Sequence, residues 1–392
     1  AGAIDWQSVI TGNTVMVAGR GYFVDTSSSA ISMTLPSSAS AGDTIALKDY
    51  AGTFASNNLT ILRNGHKIQG NSNDSKLTTA RASVVLVYID STKGWLFTNE
   101  SNVADLQDIQ HIAATGGTVT TNGDFKVHAF TGDGCFVVSN AGNAAGSNKV
   151  DYLVVAGGGG AHGDAGGGGG GGGFRVSNEY ALSGPVMSPL ANPSGLTVTA
   201  ATFPISVGAG GAFPSSGSNS VFSTITSAGG GATGTAGGSG GGSRANSCSQ
   251  GAGNTPPVSP PQGQNGGANP FGVYSGAAGG GAAHEAGGNV GPQTTGGDGG
   301  TGGYVSTTLA VSGGTPGPVG STKYYSGGGG GAYDGGSGTA GTASYGGGGN
   351  GNGSGTGSAG TANTGGGAGG GRTGSGSTGG KGIVILRYKF QN

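Results

Sequence analysis

The chain has 392 residues and a formal net charge of -1, and charged residues make up only 8% of it. So few Lys and Arg side chains, with no basic stripe, cannot neutralise a phosphate backbone, which argues against a nucleic-acid partner. No stretch approaches the roughly 20 apolar residues that a membrane-spanning helix needs, so membrane insertion is not expected.

The first part of the chain shows strand alternation and no helix periodicity. Apolar residues occupy every second position around Ile31 and Met33, and again across residues 84–88, which is the period of a half-buried strand. Turn-forming pairs such as Asn64-Gly65 separate the runs. Residues 1–99 are therefore predicted to form a small N-terminal antiparallel β-module. A module of this size buries only a modest core, so association with identical chains would add buried surface.

Five runs within this module follow one another in a recognisable order. They are GRGYFVDT at 19–26, TLP at 34–36, AGDTIALKDYAGTF at 41–54, NNLTI at 57–61 and VLVYID at 85–90. Together they resemble a module repeated in tail-fibre and other virion structural proteins of bacteriophages, notably those of marine cyanobacteria. The resemblance implies a homotrimer packed along a fibre axis, docked to other virion or fibre proteins. It also implies a place in the virion, extracellular after release.

A second domain is predicted after a short connection. Residues 100–119 are assigned to a linker because apolar periodicity is weak there. Alternation then returns near residues 125–129 and 135–138, and again at 150–155. A last run, IVILRY at 383–388, predicts a strand close to the end of the sequence.

Glycine dominates the sequence between these strands. Of the 96 glycines, 16 lie in residues 1–150, which leaves 80 in the other 242 residues. There is no strict three-residue repeat, so a collagen triple helix is excluded. Because strands stand at both ends, residues 120–392 are predicted to form a jelly-roll-like β-sandwich with a glycine-rich insertion at about 157–380. That insertion is predicted to be a bundle of polyglycine or polyproline-II helices bonded through their backbones.

The order of strands and glycine runs in this second domain also carries a resemblance. The relevant runs are VDYLVVAGG at 150–158, GFR at 173–175, ISVGAGG at 205–211 and GKGIVILRY at 380–388. They resemble the glycine-rich domain of phage fibre and adhesin proteins, some of which stack such helices with recognition loops at their ends. The layout is similar to the extracellular glycine-rich domain of the anaplastic lymphoma kinase family. The long turn at 255–262 departs from a minimal bundle.

Catalytic and metal-binding patterns are missing from the sequence. No phosphate-binding loop of the Gly-x-x-x-x-Gly-Lys-Ser/Thr type occurs, and the histidines have no metal-ligand spacing. The carboxylates after residue 150 are isolated, whereas sugar hydrolysis needs two that face each other. We therefore predict that the chain is not an enzyme, with no catalytic residue, no metal and no cofactor. The isolated acids are Asp151, Asp164, Glu179, Glu285, Asp298 and Asp334.

Binding is better supported, because aromatic residues punctuate the glycine runs. Tyrosine offers a rigid contact surface at small entropic cost, although the same rings could instead cap the layers of the bundle. The sequence predicts a virion fibre protein that attaches to a host-surface polysaccharide or protein by multivalent binding. The alternative is an architectural fibre or filament shaft without a receptor site. The candidate receptor-binding residues are Tyr324, Tyr325, Tyr333, Tyr345, Tyr274 and His162.

Overall fold

The computed structural model describes residues 4–99, 109–143, 145–182, 186–247, 249–271, 276–291, 295–333 and 338–391. Across these residues the chain contains β-strands and no helix, so the predicted all-β class is confirmed. The chain divides into two compact units. The first comprises Ala1–Gln110 with Asn143–Ala145, and the second comprises His111–Gly142 with Gly146–Asn392.

The first unit consists of two sheets, ordered β1-β3-β5-β8-β9 and β2-β4-β6-β7. Strands that follow one another from β1 to β6 alternate between the sheets, so the chain winds in successive coils. The nine strands are β1 Asp5–Trp6, β2 Thr14–Val15, β3 Arg20–Val24, β4 Ile31–Thr34, β5 Thr44–Asp49, β6 Leu59–Leu62, β7 Ser75–Leu77, β8 Ser83–Asp90 and β9 Gly94–Phe97.

The winding corrects the predicted antiparallel module. Strands β1, β3 and β5 pair in parallel, as do β2, β4 and β6. The pairs β6–β7, β5–β8 and β8–β9 are antiparallel. Side-chain alternation has the same period in both kinds of ladder, so it could not distinguish them. The long crossover that a parallel pair needs is supplied here by a strand of the other sheet.

In the second unit, two five-stranded ladders form a β-sandwich. The front sheet is ordered β10-β13-β17-β18-β19, and the central sheet is ordered β11-β12-β23-β14-β15, with β16 also pairing with β14. These strands are β10 Ile112–Thr115, β11 Thr118–Asn122, β12 Phe125–Phe130, β13 Gly134–Ala141, β14 Lys149–Val155, β15 Phe174–Val176, β16 Leu196–Thr197, β17 Thr202–Ser206, β18 Ser220–Phe222, β19 Ile225–Ser227 and β23 Ile383–Lys389.

Strand β10 and the start of β11 lie within the range 100–119 that the sequence assigns to a linker. Residues 100–108 of that range lie outside the described residues.

Both faces of the central sheet are buried along β14 and β23. One face meets the front sheet in a core that joins Phe136 and Phe222 to Tyr152 and Leu386. The opposite face carries alternate residues of the same strands and packs against a third sheet, ordered β20-β22-β21. The strands of this third sheet are β20 Gly303–Ser306, β21 Thr315–Pro316 and β22 Thr322–Tyr325.

Glycine runs inserted between the strands pack side by side, and we call them the glycine bundle. The run 166–173 is its centre, and its backbone N–H groups donate to three neighbouring runs in turn with a period of three residues. Its carbonyl groups accept from three further runs. A three-residue period is the one that the predicted polyproline-II helices require. The six neighbouring runs are 156–161, 228–231, 239–242, 278–281, 326–332 and 365–371.

This packing depends on the absence of side chains. A Cβ atom added at Gly168 would lie 2.0 Å from the carbonyl oxygen of Gly329, and one at Gly172 would lie 2.1 Å from that of Ala156. The runs therefore touch backbone to backbone, and each can satisfy its buried N–H and C=O groups through its neighbours. Backbone hydrogen bonds between glycine runs therefore hold this interior together, whereas an ordinary core is held together by packed apolar side chains.

Candidate functional site

The glycine bundle has two ends with different surroundings. The run 156–161 leaves strand β14, and the run 166–173 returns to strand β15, so the turn at 162–165 lies away from the central sheet. We call this the far end. The N–H of Gly166 donates to the carbonyl oxygen of Gly371, so the segment that follows Gly371 emerges at the same end.

His162 lies at the far end beside a second aromatic ring. Its ring centroid is 4.1 Å from that of Phe213. The backbone N–H of Asp164 donates to Nδ1 of His162 over 3.0 Å, which leaves Nε2 to carry the proton of the neutral ring. Burial, with a further contribution from nearby Arg244, lowers the pKa of His162. The imidazole therefore stays neutral at pH 7 and presents an N–H donor.

Two opposite charges complete the cluster. Arg244 donates from Nη2 to a carboxylate oxygen of Asp164 over 3.0 Å and to the backbone carbonyl oxygen of the same residue over 3.0 Å. The carboxylate is largely exposed. The far-end cluster, defined as His162, Asp164, Phe213 and Arg244, thus combines a ring, a neutral donor, a cation and an anion. Such a set can make stacking and polar contacts with one surface ligand.

Tyr333 also belongs to the far end. It follows the run 326–332, whose last residue, Ala332, donates to the carbonyl oxygen of Gly166. Its side chain is only 5% exposed, and its hydroxyl group has no hydrogen-bond partner among the described residues. The ring therefore packs into the bundle end and offers little surface to a partner.

The sandwich end carries a row of aromatic rings. Tyr304 and Tyr324 lie opposite each other in the β20–β22 ladder, and their ring centroids are 5.4 Å apart. Tyr345 extends the row on one side, 5.4 Å from Tyr324, and His284 extends it on the other, 5.1 Å from Tyr304. Tyr345 is 45% exposed, whereas Tyr324 is 4% exposed. The row therefore meets solvent mainly at Tyr345.

Close backbone packing explains the burial of Tyr324. A Cβ atom added at Gly317 would lie 2.0 Å from its ring, so the glycine lies flat against it. Burial, and then the neighbouring Tyr304, raise the pKa of the Tyr324 hydroxyl group. The Tyr324 ring therefore packs against the neighbouring rings and is not accessible to a binding partner.

The residues predicted for receptor binding do not form one site. Tyr324 and Tyr345 lie in the aromatic row, whereas His162 and Tyr333 lie at the far end. Tyr325 is fully buried in the core of the second unit, where its hydroxyl group donates to the carbonyl oxygen of Ser312 over 2.7 Å. Its side chain is out of reach of a receptor, and burial raises its pKa. Tyr274 lies outside the described residues.

Sequence reasoning missed Phe213 and Arg244 as members of a site. They come from segments 51 and 82 positions after His162, and no motif links them to it. The sequence marks His162 as a candidate receptor-binding residue and Asp164 only as an isolated acid. Phe213 and Arg244 are brought to these two residues only by the packing of the bundle.

The described residues hold no group of three or more His, Cys, Asp or Glu side chains that could bind a metal ion. The same part of the chain contains no helix that could cross a membrane.

Comparison with known proteins places the second unit in a family. A family model described as a glycine-rich domain matches residues 137–389, which is more than half of the 392-residue chain. The matched range begins in β13 and ends with β23, so it includes the whole glycine bundle. A search of curated proteins finds no match. The chain therefore belongs to the family of proteins that contain this glycine-rich domain.

Proposed function

We propose that this chain is a structural attachment protein of a virion fibre, extracellular after release, whose glycine bundle presents the far-end cluster to a host surface. The observation that carries the proposal is the position of the cluster. Four side chains with different chemistry converge on turns at the end of a bundle whose interior is almost free of side chains.

Rigidity supports a recognition role for these turns. The central run bonds to six neighbours through its backbone, so it cannot shift without breaking buried hydrogen bonds. Loops held by such a support can change their side chains without disturbing the packing below them. Ligand contacts at the far end would then be made with little loss of conformational entropy.

The first unit fits a role in self-association and docking. It carries large apolar side chains on its surface, among them Trp6 at 45% exposure, Val15 at 63% and Tyr50 at 59%. Burial of these side chains against identical chains would add to the modest core of this unit. A homotrimer would hold three far ends on one stalk, and weak sites joined in this way gain strongly in avidity.

The alternative is an architectural shaft with no receptor site. It is favoured by the burial of three of the predicted tyrosines, Tyr324, Tyr325 and Tyr333, which act as packing groups. Multivalent attachment remains our proposal because the far-end cluster, unlike these buried tyrosines, keeps a carboxylate that is 74% exposed.

The test compares cell binding by variants at the two ends of the bundle. The purified chain is incubated with a panel of bacteria that includes cyanobacteria, and bound protein is measured after washing. A His162→Ala, Phe213→Ala double variant is expected to lose at least about tenfold in binding. The matched control, Tyr345→Ala, removes an exposed ring from the sandwich end and is expected to bind like the native chain. No binding by any folded version, or equal binding by all three, contradicts the attachment proposal.

A further inference from the structure

A small pocket opens beside the central sheet of the second unit, well away from the far-end cluster. Its volume is about 150 Å³, and it is lined by Asn122, Phe125, Leu182, Thr308 and Arg387. Phe125 and Leu182 form hydrocarbon walls, and the other three contribute polar groups. An engineered cavity of the same size in another protein is known to hold benzene, so the volume suits a ligand with a body of about that size.

One of the residues that line this pocket, Arg387, is a buried charged side chain. The residue is 2% exposed, and its guanidinium group lies over the ring of Phe125, 4.7 Å from the centroid. Nη2 donates to Asp151 over 2.8 Å. Nε is buried and has no hydrogen-bond partner among the described residues. A charged N–H group left unpaired in the interior is costly, so an acceptor is missing at this position.

The partner of Arg387 cannot supply that acceptor. The carboxylate of Asp151 already accepts hydrogen bonds from the hydroxyl group of Ser177 and from the N–H groups of Glu179 and Tyr180, besides the one from Arg387. Its negative charge is therefore shared among four donors. The guanidinium group makes one hydrogen bond, to Asp151, and Arg387 is one of the residues that line the pocket. Arginine in this situation is well suited to a further carboxylate.

We propose that this pocket binds a compact organic carboxylate with an apolar body. The carboxylate would accept from Arg387, and the body would pack between Phe125 and Leu182. The inference does not depend on the proposed attachment role, because the two sites share no residue.

The test uses benzoate as the probe and the native, full-length chain. Binding is measured by ligand-observed NMR, with benzamide as a neutral ligand of the same shape and glucuronate as a carboxylate with a polar body. We expect benzoate to bind, and each comparison ligand to bind at least about tenfold more weakly. No benzoate binding, equal binding of benzamide, or stronger binding of glucuronate overturns the proposal.

A pair of neighbouring substitutions locates the binding. Thr308→Phe places a ring in the pocket, whereas Thr307→Phe adds the same ring at an exposed neighbour that does not line it. We expect the first variant to lose benzoate binding and the second to keep it. Equal benzoate binding by both variants overturns the assignment of the site. The ligand comparison on the native chain decides the proposal if either variant fails to fold.

Discussion

The carboxylate of Asp151 and the guanidinium group of Arg387 lie 2.8 Å apart in the core of the second unit, although 236 positions separate them in the sequence. Both side chains are almost fully buried. The pair joins β14, which enters the glycine bundle, to β23, which closes the central sheet after the bundle. The two ends of the insertion are thus tied together by charge as well as by the ladder.

Breaking this pair should destabilise the second unit strongly. Asp151→Ala leaves the buried charge of Arg387 without its partner, and the expected loss of unfolding free energy is about 3–5 kcal/mol. Denaturant-dependent hydrogen exchange, followed by mass spectrometry on peptides of the second unit, measures it. Asp164→Ala is the matched control, because it removes an exposed partner of Arg244 and should cost no more than about 1 kcal/mol. Similar losses in the two variants would contradict this assignment.

The glycine bundle should be intolerant of even one methyl group. Gly168→Ala places a Cβ atom 2.0 Å from a backbone carbonyl oxygen, and overpacking of this kind typically costs about 1–3 kcal/mol or more. Gly320→Ala is the control, since a Cβ there meets no atom within 4 Å. Thermal unfolding should show a lower Tm for Gly168→Ala and an unchanged Tm for Gly320→Ala. An unchanged Tm for both would refute the close backbone packing.

Acid should weaken the second unit through His128. This ring is fully buried, and burial lowers its pKa, with a smaller lowering from Lys126, while its bond to the carbonyl oxygen of Gly116 acts in the opposite direction. The unfolded chain therefore takes up the proton first, so stability is complete above about pH 6.5 and falls as the pH drops below it. Denaturant midpoints between pH 8 and pH 5 measure the trend. A His128→Phe variant should show a smaller fall, and an unchanged fall would exclude His128 as the cause.

Asp49 should hold together one end of the first unit. Its buried carboxylate accepts N–H groups from Gly52, Thr53, Phe54 and Arg81. Asp49→Ala leaves those donors without their acceptor, and the expected cost is about 1–3 kcal/mol. Asp43→Ala removes a half-buried carboxylate that accepts only from Ser40 among the described residues, and it should cost less. The unfolding of the first unit under denaturant compares them, and an equal effect would contradict the argument.

Much of the fold follows from local patterns in the sequence. Alternation at residues 150–155 and the apolar run at 383–388 predicted two strands, which the structure pairs side by side as β14 and β23. The glycine content predicted a bundle held by its backbone, and the hydrogen bonds of run 166–173 repeat every three residues. In these cases the local sequence was enough for the prediction, through its apolar residues for the strands and its lack of side chains for the glycine runs.

Long-range pairing could not be predicted in the same way. The parallel strands β1, β3 and β5 have the same alternation of apolar and polar residues in their sequence as the antiparallel strands of a hairpin would have. Asp151 stood out in the sequence only as an isolated acid, because its partner lies 236 positions away. The far-end cluster has the same origin, since His162 meets Phe213 and Arg244 only after the glycine runs have packed. Tyr325 illustrates the reverse case, in which a promising aromatic residue becomes part of the core.

Hydroxyl-radical footprinting of the chain bound to cells, compared with the free chain, tests the central claim most directly. The side chains of His162, Phe213 and Tyr345 are followed by mass spectrometry. Contact through the far end predicts that oxidation of His162 and Phe213 decreases on binding while oxidation of Tyr345 is unchanged. Protection of Tyr345 without protection of His162 and Phe213 would contradict attachment through the far end of the glycine bundle.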